Sequence, residues 1–279
     1  MTRKIVVLLF SALCLLSSSF LIAQDNDAQD NDARDDNDAR NKLVAARAQY
    51  YTPTASGLKS FHCDATIDWK TYFSRLTGKE IPDDNPLLKY LQTVHLSIDD
   101  ELGGHGTLAW TSTSAPPAGM EEAQKRTEEG LQAAVGTFFQ SWNGYLNGSR
   151  FAPPDSTVVV TQSGEGINVR GTLKDGKLEL DYDKNTRLTQ ALVESPAIRV
   201  LSIPTFASTP DGLILSSITL RVNRPPSAPQ TETIYRGEYT KVDSFQIPSR
   251  IVFELKNMGG IDFGLTNCKV SVADWAKKQ

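Results

Sequence analysis

The sequence predicts an α+β fold, a strongly curved antiparallel sheet whose apolar face is covered by one long helix and a few short ones. Two observations carry this. From Thr157 onward, segments rich in β-branched and aromatic residues follow one another: STVVVTQ, INVRGTL, KLELDYD, LTQALV, IRVLSI, LILSSITLRV, ETIYRGEYTKV, FQIPSRIVFEL and IDFGLTNCKVSV. They are punctuated by Asp175-Gly176, Pro210-Asp211-Gly212, Pro225-Pro226 and Gly259-Gly260, and such short breaks imply antiparallel neighbours. Before them, Met120 to Leu146 places Leu131, Ala134, Val135, Phe138, Trp142, Tyr145 and Leu146 at steps of three and four, the period of a helix with one buried face. Strands in a row with helices kept apart mark α+β rather than alternating α/β.

The chain opens with MTRKIVVLLFSALCLLSSSFLIA. A basic start, an apolar run of about a dozen residues and small residues ending at Ala23 have the build of a secretory signal peptide, and the run is shorter than the roughly 20 residues a membrane-crossing helix needs. Residues 1–23 are therefore expected to be removed, Cys14 with them, leaving no transmembrane span. The next stretch, DNDAQDNDARDDNDARN, alternates carboxylate and amide but lacks the glycine and the terminal glutamate of a calcium loop. With no apolar residue larger than alanine it cannot bury enough surface to order itself. Residues 24–41 are expected to be a disordered acidic linker ahead of a single domain, 42–279.

Within that domain, Lys42 to Tyr51 reads as a short helix. SFHCDATIDW then alternates Phe61, Cys63, Ala65, Ile67 and Trp69 with polar residues, the period of a half-buried strand. Asn85 and Pro86 start a short helix as cap and first residue. Val94, Leu96 and Ile98 alternate into a Gly-rich turn, DDELGGHG, from which TLAWT returns.

The chain carries 29 Lys plus Arg against 33 Asp plus Glu. Subtracting two basic residues for the leader, then seven Asp and two Arg for the acidic stretch, leaves 25 basic against 26 acidic from Lys42 onward. A body this close to neutral, with no Lys/Arg cluster, offers little of the charge on which nucleic-acid binding depends. Two cysteines remain after the leader, Cys63 and Cys268. In an exported chain they form one disulfide or stay as two separate buried thiols.

No H-E-x-x-H, G-x-S-x-G or Gly-rich Lys-Ser/Thr loop is present, so zinc, serine-nucleophile and nucleotide chemistry lack their usual carriers; no cofactor and no metal ligand is assigned. His62 and Asp64 share one strand face and are the one candidate base pair, with His95, His105 and the acidic clusters Asp83-Asp84 and Asp99-Asp100-Glu101 read as solvated. Asn147-Gly148-Ser149 is a formal glycosylation sequon.

GLKSFHCDATIDW, LKDGKLELDYDKNTRL and YRGEYTKVDSFQIPSRIVFEL resemble motifs of the LolA-like group of exported bacterial proteins, whose best-known member carries lipoproteins across the periplasm. The resemblance implies a partial β-barrel with helices in its apolar concave face. It departs from the carrier after GTLAW, where Thr111-Ser112 stands in place of a basic residue and proline, which points to a changed ligand. The expected function is a non-enzymatic exported protein, periplasmic or extracellular, that binds a lipid or acyl chain in a groove lined by Phe61, Ile67, Trp69, Phe138, Trp142 and Tyr145. The competing expectation is that these faces pack on each other and the protein is a structural or protein-binding module of the envelope. A hydrolase at His62 and Asp64 is third.

Overall fold

A computed structural model describes residues 33–102, 104, 106–146, 158–173, 175–256 and 259–276. The leader, the acidic stretch as far as Asp32, His105 and the Asn147 sequon lie outside them. The fold is mostly an antiparallel sheet of twelve strands with one long helix and a few short ones. The chain divides into two compact units, the described parts of Pro53–Asn147 with Tyr235–Gln279 and of Ser19–Thr52 with Gly148–Ile234. Open twisted sheets seldom exceed about 10 strands around one core, and here each unit carries helical cover of its own.

The first unit contains β1 (Leu58–Ile67), β2 (Val94–Glu101), β3 (Thr107–Ser112), β11 (Phe245–Leu255), β12 (Gly259–Val272) and the part of β10 (Thr231–Val242) from Tyr235. Their order is β3-β2-β1-β12-β11-β10. Inward positions Phe61, Cys63, Ala65, Leu96, Ile98, Ile251, Phe253, Ile261, Phe263 and Leu265 are buried, as alternation requires. Among the described residues three α-helices belong to this unit, here α2 (Trp69–Thr77), α3 (Pro86–Leu91) and α4 (Glu121–Leu146). Asn85 caps α3 as expected, its side chain accepting from the Leu87 and Leu88 amides at 2.9 and 3.2 Å.

The helix α2 was not anticipated. Trp69 is its first residue, not the end of the strand, because Asp68 acts as N-cap: its carboxylate accepts from the Thr71 amide at 2.9 Å and from Thr71 Oγ1 at 2.7 Å. These two bonds hold the Asp68 carboxyl below its ordinary pKa, and a capping bond of this kind contributes about 1 kcal/mol. At the other end Gly78, with φ 68°, supplies the left-handed residue that closes a helix.

The second unit contains α1 (Ala33–Ala48), β4 (Val158–Ser163), β5 (Gly166–Leu173), β6 (Gly176–Tyr182), β7 (Leu188–Glu194), β8 (Arg199–Thr209), β9 (Gly212–Asn223) and the start of β10. Their order is β10-β9-β8-β7-β6-β5-β4. Leu43 and Ala46 of α1 are fully buried, with Val158, Val160, Ile167, Val169 and Leu180 in the same unit's core. Just past α1, Tyr50 stacks edge-on to Phe206 at 4.8 Å and accepts the Leu188 amide at 2.7 Å. The chain then lies against Gly212, whose φ is 122°; a Cβ there would stand 2.9 Å from the Tyr51 nitrogen. The helix begins at Ala33, not Lys42, so Ala33–Asn41 is helical and not linker. Anchoring at Leu43 and Ala46 supplies the nucleus that an isolated segment lacks.

Cys63 on β1 and Cys268 on β12 form a disulfide, with an S–S distance of 2.05 Å, across a sequence separation of 205 residues. Beside it β12 carries an extra residue, Asn267, at φ 51°, and its side-chain amide donates to Asp64 at 2.8 Å. A crosslink closing so long a loop removes several kcal/mol of chain entropy from the unfolded state. Replacing both Cys63 and Cys268 with Ala is expected to lower the unfolding free energy by about 3–5 kcal/mol, read as a fall in denaturant midpoint with a steeper slope, since the uncrosslinked unfolded chain exposes more surface.

Candidate functional site

Five of the six residues assigned to the groove are buried: Phe61, Trp69, Phe138 and Tyr145 at 2, 7, 2 and 3 percent exposure and Trp142 at 0 percent. Ile67 is half-buried. They do not form one wall. Phe61 meets Phe139 at 5.5 Å and Trp142 at 5.8 Å, Phe139 meets Trp142 at 5.6 Å and Phe138 at 4.9 Å, and Phe138 continues to Tyr235 at 6.3 Å and Tyr235 to Phe253 at 5.1 Å. Edge-on and tilted rings at these spacings are a packed aromatic core. Trp69 belongs to a different cluster, with Tyr72, Phe73 and Trp110 at 6.1, 6.3 and 5.8 Å.

The described residues form two concavities of note. One of about 250 Å³ lies over Ser60, Phe61, His62, Asp99, Asp100, Glu101, Lys269, Val270 and Ser271. The other, about 440 Å³, lies over Gly176, Lys177, Glu194, Ser195, Pro196 and Pro226 in the second unit. Neither is walled mainly by large aliphatic or aromatic side chains, the wall an acyl chain requires.

The polar face of β1 and β2 carries two histidine–carboxylate pairs, neither of them His62 with Asp64. His62 Nδ1 lies 2.8 Å from Asp99 Oδ1, its cross-strand partner, and His95 Nε2 lies 3.5 Å from Asp64 Oδ1. The alternation had placed His62 and Asp64 on one face correctly, but opposed residues on neighbouring strands approach more closely than residues two apart on one strand. The Thr66 hydroxyl that shares this face donates to the Gly264 carbonyl at 3.3 Å. Among the described residues, no three His, Cys, Asp or Glu side chains converge as a metal site. Asp83, read as solvated, pairs with Lys70 at 2.7 Å.

Two features escaped the sequence reading. Asp100 is 1 percent exposed, its Oδ1 accepting from Asn143 Nδ2 of α4 at 2.9 Å. Burial, with the Glu101 charge adding to it, pushes its carboxyl up to about 7 against the opposing Asn143 bond. The signal was legible: Asp100 continues the apolar parity of Leu96 and Ile98. The second feature is the outer edge of β3. Gln132 of α4 lies beside it; the Leu108 amide donates to Gln132 Oε1 at 2.6 Å and Gln132 Nε2 donates to the Gly106 carbonyl at 3.2 Å. Gly106 permits this approach, since a Cβ there would stand 2.4 Å from the Phe139 ring.

In an antiparallel pair, alternate residues turn their backbone groups away from the partner. Leu108, Trp110 and Ser112 share that parity, opposite Ile98, Leu96 and Val94 of β2. Gln132 occupies the first of these positions. Among the described residues no backbone partner takes the Trp110 amide or carbonyl on that side, and the buried Trp110 Nε1 has no acceptor. Beneath lie Trp69, Tyr72 and Phe73, the last two half-buried.

No family model matches the sequence, and no curated protein matches it. A crystal structure of MucB in complex with MucA(peri) aligns over 88 percent of this chain and 96 percent of that chain at 10 percent identity, with a TM-score of 0.16. At that score the likeness carries no argument. The LolA-like resemblance rests on the short motifs that suggested it.

If the six residues are core and not groove, Trp142→Ala is expected to cost about 3–5 kcal/mol. A denaturant titration with intrinsic fluorescence checks this; a loss below about 1 kcal/mol marks a side chain lining open space.

Proposed function

We propose that the protein is an exported, non-enzymatic binding protein of the cell envelope whose partner is another protein, taken up as an added strand on β3. The observation that carries this reading is the edge of β3, guarded by Gln132 over its first half and open at Trp110 above a half-exposed aromatic cluster. Exposed sheet edges pair with extended segments from other chains, the backbone supplying affinity and alternate side-chain sites supplying selectivity. Trp and Tyr beside such an edge are the residue types in which binding energy concentrates. Export is supported by the Cys63–Cys268 disulfide, a bond that persists in oxidising compartments, and by the leader-like start of the chain.

The lipid-carrier reading finds less support. Four of its six residues, Phe61, Trp69, Phe138 and Trp142, meet neighbouring rings, so an acyl chain entering there has to displace packed aromatics. A photo-crosslinking side chain at Ala109 or Thr111, on the exposed side of β3, is expected to capture a protein in the native compartment. The same probe at Thr205 of β8 is expected to capture none. Ser112→Pro removes an outward amide where proline is tolerated and is expected to abolish capture with the fold intact by circular dichroism. Lipid recovered stoichiometrically by solvent extraction, with no crosslink at β3, overturns the proposal in favour of a carrier.

A further inference from the structure

Asp100 and Asn143 face each other from β2 and α4, 1 and 2 percent exposed. One hydrogen bond joins them, Asn143 Nδ2 to Asp100 Oδ1 at 2.9 Å, and the Asn143 amide also donates to the Gly104 carbonyl at 3.3 Å. Among the described residues each group retains one buried oxygen without a partner, Asp100 Oδ2 and Asn143 Oδ1. Two unpartnered acceptors on facing groups are costly when both are bare oxygens. A proton on Asp100 Oδ2 turns one of them into a donor, and an acid and a primary amide then form two reciprocal hydrogen bonds. We propose that Asp100 and Asn143 form a proton-held latch that fastens the end of α4 to β2 while Asp100 is neutral and loosens it when Asp100 ionises.

The surroundings leave Asp100 as the group that sets this equilibrium. On β2, Glu101 adds a like charge. Asp99 projects to the opposite face, where it pairs with His62 of β1. From β12, Lys269 lies in the surface cleft with His62 and Glu101. From Gln132 to Leu146, α4 has no Asp, Glu, Lys, Arg or His. Its titratable group there is Tyr145, and β10 adds Tyr235 and Tyr239, both with hydroxyls pushed well above the ordinary tyrosine range by burial. Neither Tyr235 nor Tyr239 competes with Asp100 near neutrality.

The sign follows from the folded carboxyl titrating at about 7 against an unfolded value of 3.8. Between these values the folded chain holds a proton that the unfolded chain has lost, so stability is highest on the acid side and falls as pH rises. The unfolding equilibrium constant is expected to grow roughly tenfold per pH unit from about 4 to 7 and then level off.

The test is the disulfide-intact chain against Asp100→Asn, which reproduces the neutral acid in shape and can make both bonds to Asn143. The wild type is expected to lose thermal stability between pH 5 and pH 8, and amide-exchange protection in α4 residues 138–146, after correction for intrinsic exchange, to fall with it. Asp100→Asn is expected to hold both nearly constant. If the variant shows the wild-type fall, the latch is overturned. Should the variant fail to fold, the Asp100 carboxyl carbon resonance of the wild type decides: a midpoint near 7 supports the latch, and one in the ordinary carboxylate range overturns it.

Discussion

Packing of Phe139 and Trp142 against Phe61 fixes where α4 lies, and the first unit depends on that placement. These rings commit the helix to one rotation about its axis. Given that rotation, Gln132, about three turns earlier, falls on the outer edge of β3, and Asn143, one residue later, falls on Asp100. The aromatic contacts supply the free energy, since burying such side chains is worth a few kcal/mol each. The polar contacts supply position, because each buried polar atom is tolerated only where a partner meets it. A helix that slid by one residue would leave the Asp100 carboxylate and the Leu108 amide bare together.

Much of the fold was legible because its signals are local. All nine strands read from Thr157 onward are present, as are the first strand at Phe61, the capped helix at Pro86 and the long helix. Period-two alternation and turn chemistry are properties of a few adjacent residues, which a single sequence displays. The misses occurred where a distant contact decides. Whether α1 starts at Ala33 or Lys42 depends on Leu43 and Ala46 finding a sheet to bury against. The miss at Trp69 was local instead: the residue satisfied the strand's parity, but the Asp68 cap on Thr71, competing for the same residues, won.

The site was less legible, for a related reason. The six candidate residues share an apolar character that core and groove have in common, and the difference between them is whether other rings fill the space. Phe139, Tyr235 and Phe253 fill it, from α4, β10 and β11. Asp100, by contrast, was visible as an acid on an apolar parity, and Gln132 as an amide among apolar helix positions. Each breaks a pattern, and such breaks were better pointers to unusual chemistry than the large aromatic stripe.

The joining of β1 to β12 also orders events in time. The second unit is complete once the chain has been made as far as Ile234, whereas the first opens at Pro53 and waits for β12 to pair beside β1. Contacts so distant in sequence form slowly, because the intervening chain must be brought round before they repay its lost freedom. A chain that emerges from its amino end therefore keeps its earliest core open longest, with Phe61 and Trp142 uncovered until the strand carrying Cys268 arrives.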